Sequence, residues 1–321
     1  MEGSLHRRAV RSGRRGSMTT AWRVTVLRGG PSAEREVSLA GGAAVAAACR
    51  RLGYQVTEAD ILPDQLRALE EPADVIFPVL HGEFGEDGQL QAILESRGLC
   101  YVGSGPEASR LAMDKLASKQ RWEAVGLPTA PWIRVDAHSD PAQLDRFGAP
   151  AVVKPVREGS SIGVAICDSI EALRNGVRQA VARHGQVLVE RRLDGPELTV
   201  GILEHQALPV IEIRSALGFY DFRAKYHRDD TQYLFEPDID AATYQQAQSV
   251  ALEAFRSLGC RHLGRVDMIA DRRRGLQLLE INTLPGFTDH SLLPKAAARV
   301  GIDFDHLVER LVHAALKRRP R

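Results

Sequence analysis

Two segments in the C-terminal third, GRVDMIA at 264–270 and LQLLEIN at 276–282, place acids inside otherwise apolar runs. With the period of two that a strand imposes, Arg265 and Asp267 share one face, and Glu280 and Asn282 share a face of the partner strand. The turn at 271–275 brings Asp267 opposite Glu280 to within one residue of register. Like charges facing each other across a ladder repel, and Val266, Met268, Leu279 and Ile281 set this pair in an apolar frame. A hard divalent cation, taking oxygen ligands from Asp267, Glu280 and Asn282, removes the conflict. The alternative is a sheet face open to solvent, on which the acids are simply hydrated.

A second group lies in KPVREGSSIG at 154–163. Lys154 interrupts an apolar strand and needs an anionic partner or an exit to water. Gly159, Ser160, Ser161 and Gly163 follow it, small residues whose backbone N–H groups can close around phosphate oxygens. No G-K-[ST] follows, so this is not a Walker A loop, and a plain hairpin turn remains the competing reading. Lys115 is a further candidate phosphate contact, or else a solvated helix lysine. In VLVERRLDGPE at 187–197, Glu190 ends a strand and Glu197 follows a turn. A nucleotide could use backbone groups there for its base and a carboxylate for its ribose, although either acid taken singly could be a surface carboxylate.

The elements that must position these groups follow from the apolar pattern. WRVTVLRGG (22–30) reads as a strand ended by two glycines, and a helix over 34–52 sets Val37, Ala40, Ala44, Ala48 and Leu52 on one stripe. DVIFPVLHG (74–82) is a second strand, 88–98 a helix, and LCYVGSG (99–105) a third strand. Strand and helix alternating in this way predict a parallel α/β unit with ligands gathering beyond the carboxyl ends of its strands, where Gly29–Ser32 and His81–Gly88 fall. From 111 the texture changes. A helix (111–125), strands at 151–156, 163–167 and 186–193, and a helix at 169–184 come first. Strands at 198–204 and 208–214 follow, then a polar stretch at 215–237 without clean periodicity, a helix at 240–258, the acidic hairpin and two terminal helices. A loop as long as 215–237 inside a compact domain is usually functional.

Composition excludes several classes. The 321 residues are 44% hydrophobic, 26% charged and 6% aromatic, with a net charge of +1, the profile of a soluble globular chain of two or three domains. Residues 1–17 hold five Arg against one Glu, so the remainder carries no basic field that would recruit nucleic acid. That segment is expected to be a disordered leader, with Met18 an alternative start. Cys49, Cys100, Cys167 and Cys260 are widely spaced and form no CxxC, so reduced, mostly buried thiols of a cytoplasmic protein are expected. No stretch is long and apolar enough to read as a membrane helix.

Taken together, GGPSAEREVSL (29–39), LHGEFGEDGQLQ (80–91), GSGPEASRLAMDK (103–115), VKPVREGSSIG (153–163), GPELTV (195–200), FYDFRAKY (219–226), GRVDM (264–268) and LEINTLPGFTDHSL (279–292) give the chain a specific resemblance. Over about 18–318 it resembles the D-alanine–D-alanine ligases of the ATP-grasp superfamily. The resemblance implies an α/β fold of three domains, with an N-terminal Rossmann-like parallel sheet and two α+β domains clasping ATP. The expected divisions are an N-terminal domain at 18–105 carrying the first D-alanine subsite, a central domain at 106–192, and a C-terminal domain at 193–321 whose lid is the 215–237 stretch.

It also implies roles. Asp267, Glu280 and Asn282 would hold two Mg²⁺ (or Mn²⁺) ions at the ATP phosphates, and Lys115 and Lys154 would touch those phosphates under the 157–163 loop. Glu190 would stand near the adenine amino group and Glu197 at the ribose. Gly159, Ser161, Arg192, Leu193, Phe219, Lys225 and Leu279 would complete the ATP site. Glu34 would pair with the ammonium of the first D-alanine, with His81 and Val37 nearby. Arg265 and the Gly286 N–H would steady an oxyanion, and Ser291 and Leu292 would meet the carboxylate of the second D-alanine. Ser160 and Tyr226 would link Glu34 to the lid. A homodimer is implied as well. Arg28, Phe222, Arg223 and Asp289 depart from the usual pattern without removing a group of direct chemical role.

The activity implied is ATP-dependent formation of D-alanyl-D-alanine through an acylphosphate, for peptidoglycan synthesis. Another ATP-grasp carboxylate–amine ligase would keep the 154–163 loop and the acidic hairpin but lack Glu34, His81 and the Tyr226/Ser291 pair. Relatives that accept D-lactate tend to carry Phe at the position of Tyr226. A non-catalytic nucleotide-binding protein would be expected to lose one of Asp267, Glu280 and Asn282, and all three stand.

Overall fold

The computed structural model describes residues 21–159, 161–214 and 231–318. Strand β1 (Arg23–Arg28) is buried from Val24 to Leu27 and pairs in parallel with β2 (Gln55–Asp60) and β3 (Val75–Pro78), in the order β2-β1-β3. β2 was not expected. Its sequence QVTEAD alternates between exposed and half-buried positions, the signature of a polar edge strand that hydrophobicity alone does not mark. The strand expected over 99–105 reduces to a single bridge between Ile76 and Tyr101, because Gly103, at φ +110°, turns the chain away.

Helix α1 (Arg35–Arg51) packs on this sheet, but on a different stripe from the one expected. Its buried face is Ser38, Gly41, Gly42, Val45, Ala46, Ala48 and Cys49, while Ala40 is exposed. The smallest residues, not the most apolar ones, define the contact. A Cβ on Gly42 would stand 2.5 Å from the Arg28 Cβ, so the helix approaches β1 more closely than any side chain would allow. Arg28 itself pairs with Glu58 of β2 at 2.7 Å, which accounts for a charged residue there.

Helices α2 (Gln89–Ser96), α3 (Pro106–Met113) and α4 (Lys115–Ala124) follow. The single helix expected at 111–125 is broken at Asp114, whose extended backbone (φ −89°, ψ 101°) ends one helix and caps the next. A second, wholly antiparallel sheet contains β4 (Trp132–Asp136), β5 (Ala151–Pro155), β6 (Ala165–Cys167) and β7 (Gln186–Arg191) in the order β4-β7-β5-β6. Helix α5 (Ala142–Phe147) lies between β4 and β5 in the chain, and α6 (Ile170–His184), capped by Ser169, packs on the sheet through Leu173, Val177 and Ala180. β4 also escaped the sequence reading.

The third sheet, again antiparallel, runs β10-β9-β8-β11-β12: β8 (Glu197–Leu203), β9 (Gln206–Arg214), β10 (Gln232–Leu234), β11 (Leu263–Asp271) and β12 (Gly275–Asn282). β10 lies within the stretch expected to be a lid, so residues 232–234 of it belong to a sheet; residues 215–230 lie outside the described residues. Helix α7 (Ala241–Ser257) covers this sheet with Ala247, Ala251, Ala254 and Phe255, at the three- and four-residue spacing of one helix face. Helices α8 (Leu292–Arg299) and α9 (Phe304–Leu316) close the chain. One parallel and two antiparallel sheets are the expected α/β class.

One hydrophobic core joins the first and last parts of the chain, from Val24, Val26 and Phe77 through Phe287 to Leu307 and Leu311. Phe287 meets Phe77 edge-on at 5.5 Å and Phe304 at 6.2 Å. Burying that ring stabilises by roughly 1.5–3 kcal/mol, plus about 0.5–1.5 for each aromatic pair. The loop 283–291, which bears Gly286 and Ser291, is thereby pinned between the sheets.

Candidate active site

Two adjoining cavities share Lys115, Glu158 and Glu280, and between them they contain every described residue to which the resemblance gives a role, though not Gly163 of the glycine/serine loop. Glu34, Val37, His81, Gly159, Arg265, Asn282, Gly286, Ser291 and Leu292 line the first; Lys154, Ser161, Glu190, Arg192, Leu193, Glu197, Asp267 and Leu279 line the second. Ser160, Phe219, Lys225 and Tyr226 lie outside the described residues.

Glu34 is placed by the turn after β1. Gly29 and Gly30 both take φ near +80°, which L side chains avoid, and the Gly29 N–H donates to Ser38 Oγ at 2.8 Å. Ser38 Oγ in turn donates to the Val79 carbonyl, clamping the first turn of α1 to the end of β3. Glu34 occupies the N-cap position of α1 without a side-chain capping bond and is buried, its carboxylate turned toward Gly82 and Gly159. His81 is fully buried. Desolvation lowers its pKa against the pull of Glu34 and a backbone hydrogen bond at Leu284, so the ring is held neutral, and its Nε2 has no hydrogen-bond partner.

Two missed residues complete this region. Glu86 accepts from the Gly82 N–H at 2.8 Å and the Leu284 N–H at 3.2 Å, joining the 81–88 loop to the 283–291 loop. Burial, then the nearby Glu34, pushes its pKa up to about 8, against those two N–H donors and Arg265. It stood inside a quoted motif, and only its burial distinguishes it from its exposed neighbour Glu83. The other is Lys119. It is wholly buried and pairs with Glu190 while donating to Thr129 Oγ1. Its spacing of one helical turn from Lys115 was the available signal.

The acidic hairpin is tighter than expected. Asp267 pairs directly with Glu280 and Arg265 with Asn282, through strands that extend to Asp271 and Gly275 and leave a turn of only 272–274. A bulge between Asp267 and Met268 follows immediately. The repulsion expected between the two acids is compensated on each side. Arg265 grips Asp267 with two bonds of 3.0 and 2.9 Å, Thr199 donates to it at 2.6 Å, and Lys115 pairs with Glu280 at 3.1 Å. Asn282 Oδ1 is buried without a hydrogen-bond partner. Among the described residues no three of His, Cys, Asp and Glu cluster. Asp267, Glu280 and Asn282 together offer two carboxylates and an amide, an all-oxygen set of the kind a hard cation takes.

Lys154 finds its partner in Glu190, at 2.5 Å, on the neighbouring strand β7. Burial opposes its charge, yet Glu190 raises its pKa. Burial likewise works against the charge of Glu190, but Lys119 and Lys154 together bring its pKa down to about 2. Lys115 starts α4 because of the break at Asp114, and its Nζ also donates to the Glu158 carbonyl at 2.7 Å, at the base of the glycine/serine loop.

Ser291 occupies the N-cap of α8 without capping it; its Oγ instead accepts from the Thr288 N–H at 2.9 Å. Ser291 and Leu292, at the start of α8, line the first cavity, so the uncapped end of that helix lies at its wall, where an anion would be favoured. Gly286 lies so close that a Cβ there would stand 2.7 Å from Ser291 Oγ.

Residues 57–104 match the family model described as D-ala D-ala ligase N-terminus, and residues 121–313 the one described as D-ala D-ala ligase C-terminus. Over 299 residues, covering 92% of this chain and 94% of the relative, the sequence is 48% identical to a D-alanine–D-alanine ligase of Alcanivorax borkumensis. The solved D-alanine–D-alanine ligase of Bacillus anthracis matches with a TM-score of 0.84 at 33% identity, covering 93% of this chain and 99% of that one. A structure of that organism's ligase complexed with ATP matches at 0.81 and 30% identity, over 93% and 99% of the two chains. This chain belongs to the D-alanine–D-alanine ligase family.

Proposed function

We propose that the protein joins two molecules of D-alanine, at the cost of ATP, into D-alanyl-D-alanine for peptidoglycan synthesis. The observation that carries this reading is the adjacency of the two cavities: a carboxylate, a histidine, an arginine and an open helix N-terminus in one, and paired lysines and acids in the other, meeting at Lys115 and Glu280.

A carboxylate is a poor electrophile, so the first D-alanine must be activated. Its carboxylate attacks the γ-phosphorus of ATP, ADP leaves, and an acylphosphate results. The amine of the second D-alanine attacks the acyl carbon and loses a proton, and phosphate departs from the tetrahedral intermediate. Glu34 binds the first ammonium and His81 stays neutral beside it. The N-terminus of α8, with Ser291 and Leu292, receives the carboxylate of the second substrate, and Arg265 with the Gly286 N–H stabilises the oxyanion. Lys115 and Lys154 neutralise phosphate charge, with Gly159 and Ser161 above them. Glu190, Arg192, Leu193, Glu197 and Leu279 hold the nucleoside. Ser160 and Tyr226 belong to the same proposal as the link to a lid that excludes water from the acylphosphate, and Phe219 and Lys225 as further residues of the ATP site.

Asp267, Glu280 and Asn282 are the residues that would hold Mg²⁺ or Mn²⁺; the orphaned Asn282 Oδ1 and the facing carboxylates fit a hard cation. When bound, such ions shield the charge that builds on the phosphates. A cytoplasmic homodimer with three domains divided at 105/106 and 192/193 completes the reading, and no helix among the described residues is long and apolar enough to cross a membrane. The test is phosphate release with ATP, Mg²⁺ and single amino acids, with product analysis. D-Alanine alone should support turnover and yield the dipeptide; release with L-alanine, or none with D-alanine, overturns the assignment.

A further inference from the structure

Glu190 is held by two lysines where one would balance it. Lys154 lines the nucleotide cavity and takes one carboxylate oxygen at 2.5 Å. Lys119 lies behind, wholly buried, and takes the other. It cannot swing away: its ammonium also donates to Thr129 Oγ1, and that hydroxyl donates to the Leu278 carbonyl at 3.0 Å. Burial lowers the pKa of Lys119 against the pull of Glu190, and Glu280 and Glu197 also attract Lys154; two cations on one buried carboxylate are costly unless a further anion takes one of them. The phosphates of a nucleotide in this cavity are that anion, and only Lys154 can reach them.

We propose that Lys119 is a specificity-determining positioning residue, the permanent counter-ion that keeps Glu190 ionised and oriented as an acceptor for the adenine amino group while Lys154 turns to the phosphates. The inference rests on the ATP-site reading above. An ionised carboxylate only accepts hydrogen bonds, so it welcomes the amino group of adenine and repels the carbonyl oxygen of hypoxanthine. Without Lys119, Lys154 still turns to the phosphates when the nucleotide binds, and Glu190, left with no cation beside it in a buried site, takes a proton. A neutral carboxyl both donates and accepts, and tolerates either base.

The experiment compares ATP with inosine 5′-triphosphate, by calorimetric binding and by kcat/KM for dipeptide formation, in the unmodified protein, in Lys119→Met and in Lys119→Met/Glu190→Gln. The unmodified protein should prefer ATP. In Lys119→Met that preference should shrink by about tenfold or more, with KM for the nucleotide changed and KM for D-alanine unchanged. The double variant, whose amide also donates and accepts, should show the same narrowed ratio, and it decides the matter if the single variant does not fold. Equal weakening of both nucleotides, with the ATP preference intact in either folded variant, overturns the inference and leaves the ligase assignment standing. Failure of the unmodified protein to bind ATP overturns both.

Discussion

Asp114 joins the chemistry to the scaffold at one point, and its removal has a calculable cost. Oδ1 accepts the Ala117 N–H at 3.0 Å, capping the helix that Lys115 begins, and Oδ2 accepts from Arg157 Nε at 3.1 Å, at the start of the glycine/serine loop. Asp114→Ala loses an N-cap, about 1 kcal/mol, and a negative charge at a helix N-terminus, about 0.3–1 kcal/mol. The pair with Arg157, whose side chain is 67% exposed, adds little, about 0.2–0.5 kcal/mol after screening. The total, about 1.5–2.5 kcal/mol, lowers Tm by about 2–4 °C in a chain of this size.

The functional effect follows from the same bonds. A frayed first turn frees Lys115 from its place between Glu280 and the Glu158 carbonyl, so KM for ATP should rise several-fold while KM for D-alanine moves little. Asp114→Asn separates the contributions. Its amide oxygen still caps Ala117, so Tm should stay within about 1–2 °C of the unmodified protein, while the bond to Arg157 is lost. Scanning calorimetry and initial rates at varied ATP measure both. If Asp114→Ala melts and turns over like the unmodified protein, the cap does not hold Lys115; if Asp114→Asn is as damaged as Asp114→Ala, charge rather than capping is responsible.

Asp267→Asn and Glu280→Gln should each lower phosphate release with D-alanine by more than about a hundredfold while far-UV circular dichroism stays native; near-normal turnover at modest Mg²⁺ would remove them from the metal assignment. Because Arg265 and Lys115 already compensate these acids, neither substitution should raise stability, contrary to what facing carboxylates alone suggest. Gly42→Ala sets a helix-propensity gain of about 1 kcal/mol against overpacking of about 1–3 kcal/mol where the new Cβ meets Arg28; Tm should fall, and a rise would show that β1 yields easily. The pKa of Glu190, held at about 2 against an ordinary 4.5, contributes stability present above pH 4.5 and lost as pH falls toward 2. Urea midpoints should therefore drop across that window, and less steeply in Lys119→Met/Glu190→Gln; parallel acid limbs would refute the assignment.

What could be read from the sequence was whatever a short period and nearby residues encode. Asp267, Glu280 and Asn282 were found because a strand alternates and the turn between them is short. The packing face of α1 was misplaced because close approach through Gly41 and Gly42 leaves no hydrophobic signature. β2 was overlooked because an edge strand need not be apolar. The break at Asp114 is a capping event that periodicity runs straight through. Least legible were the charge partners, because Lys119, Lys154 and Glu190 come from one helix and two strands that only the fold brings together. That pairing explains how so many charges share one site. Lys115 faces Glu280, Arg265 faces Asp267, and Lys154 faces Glu190, so each cation proposed to meet a phosphate or oxyanion already has a carboxylate partner. In the proposed reaction Asp267 and Glu280 would hold the metal and Lys115 and Lys154 would meet the phosphates, so each ion pair would exchange one partner for another. The exchange leaves few charges uncompensated at any stage, which is what a buried site needs in order to gather this many of them.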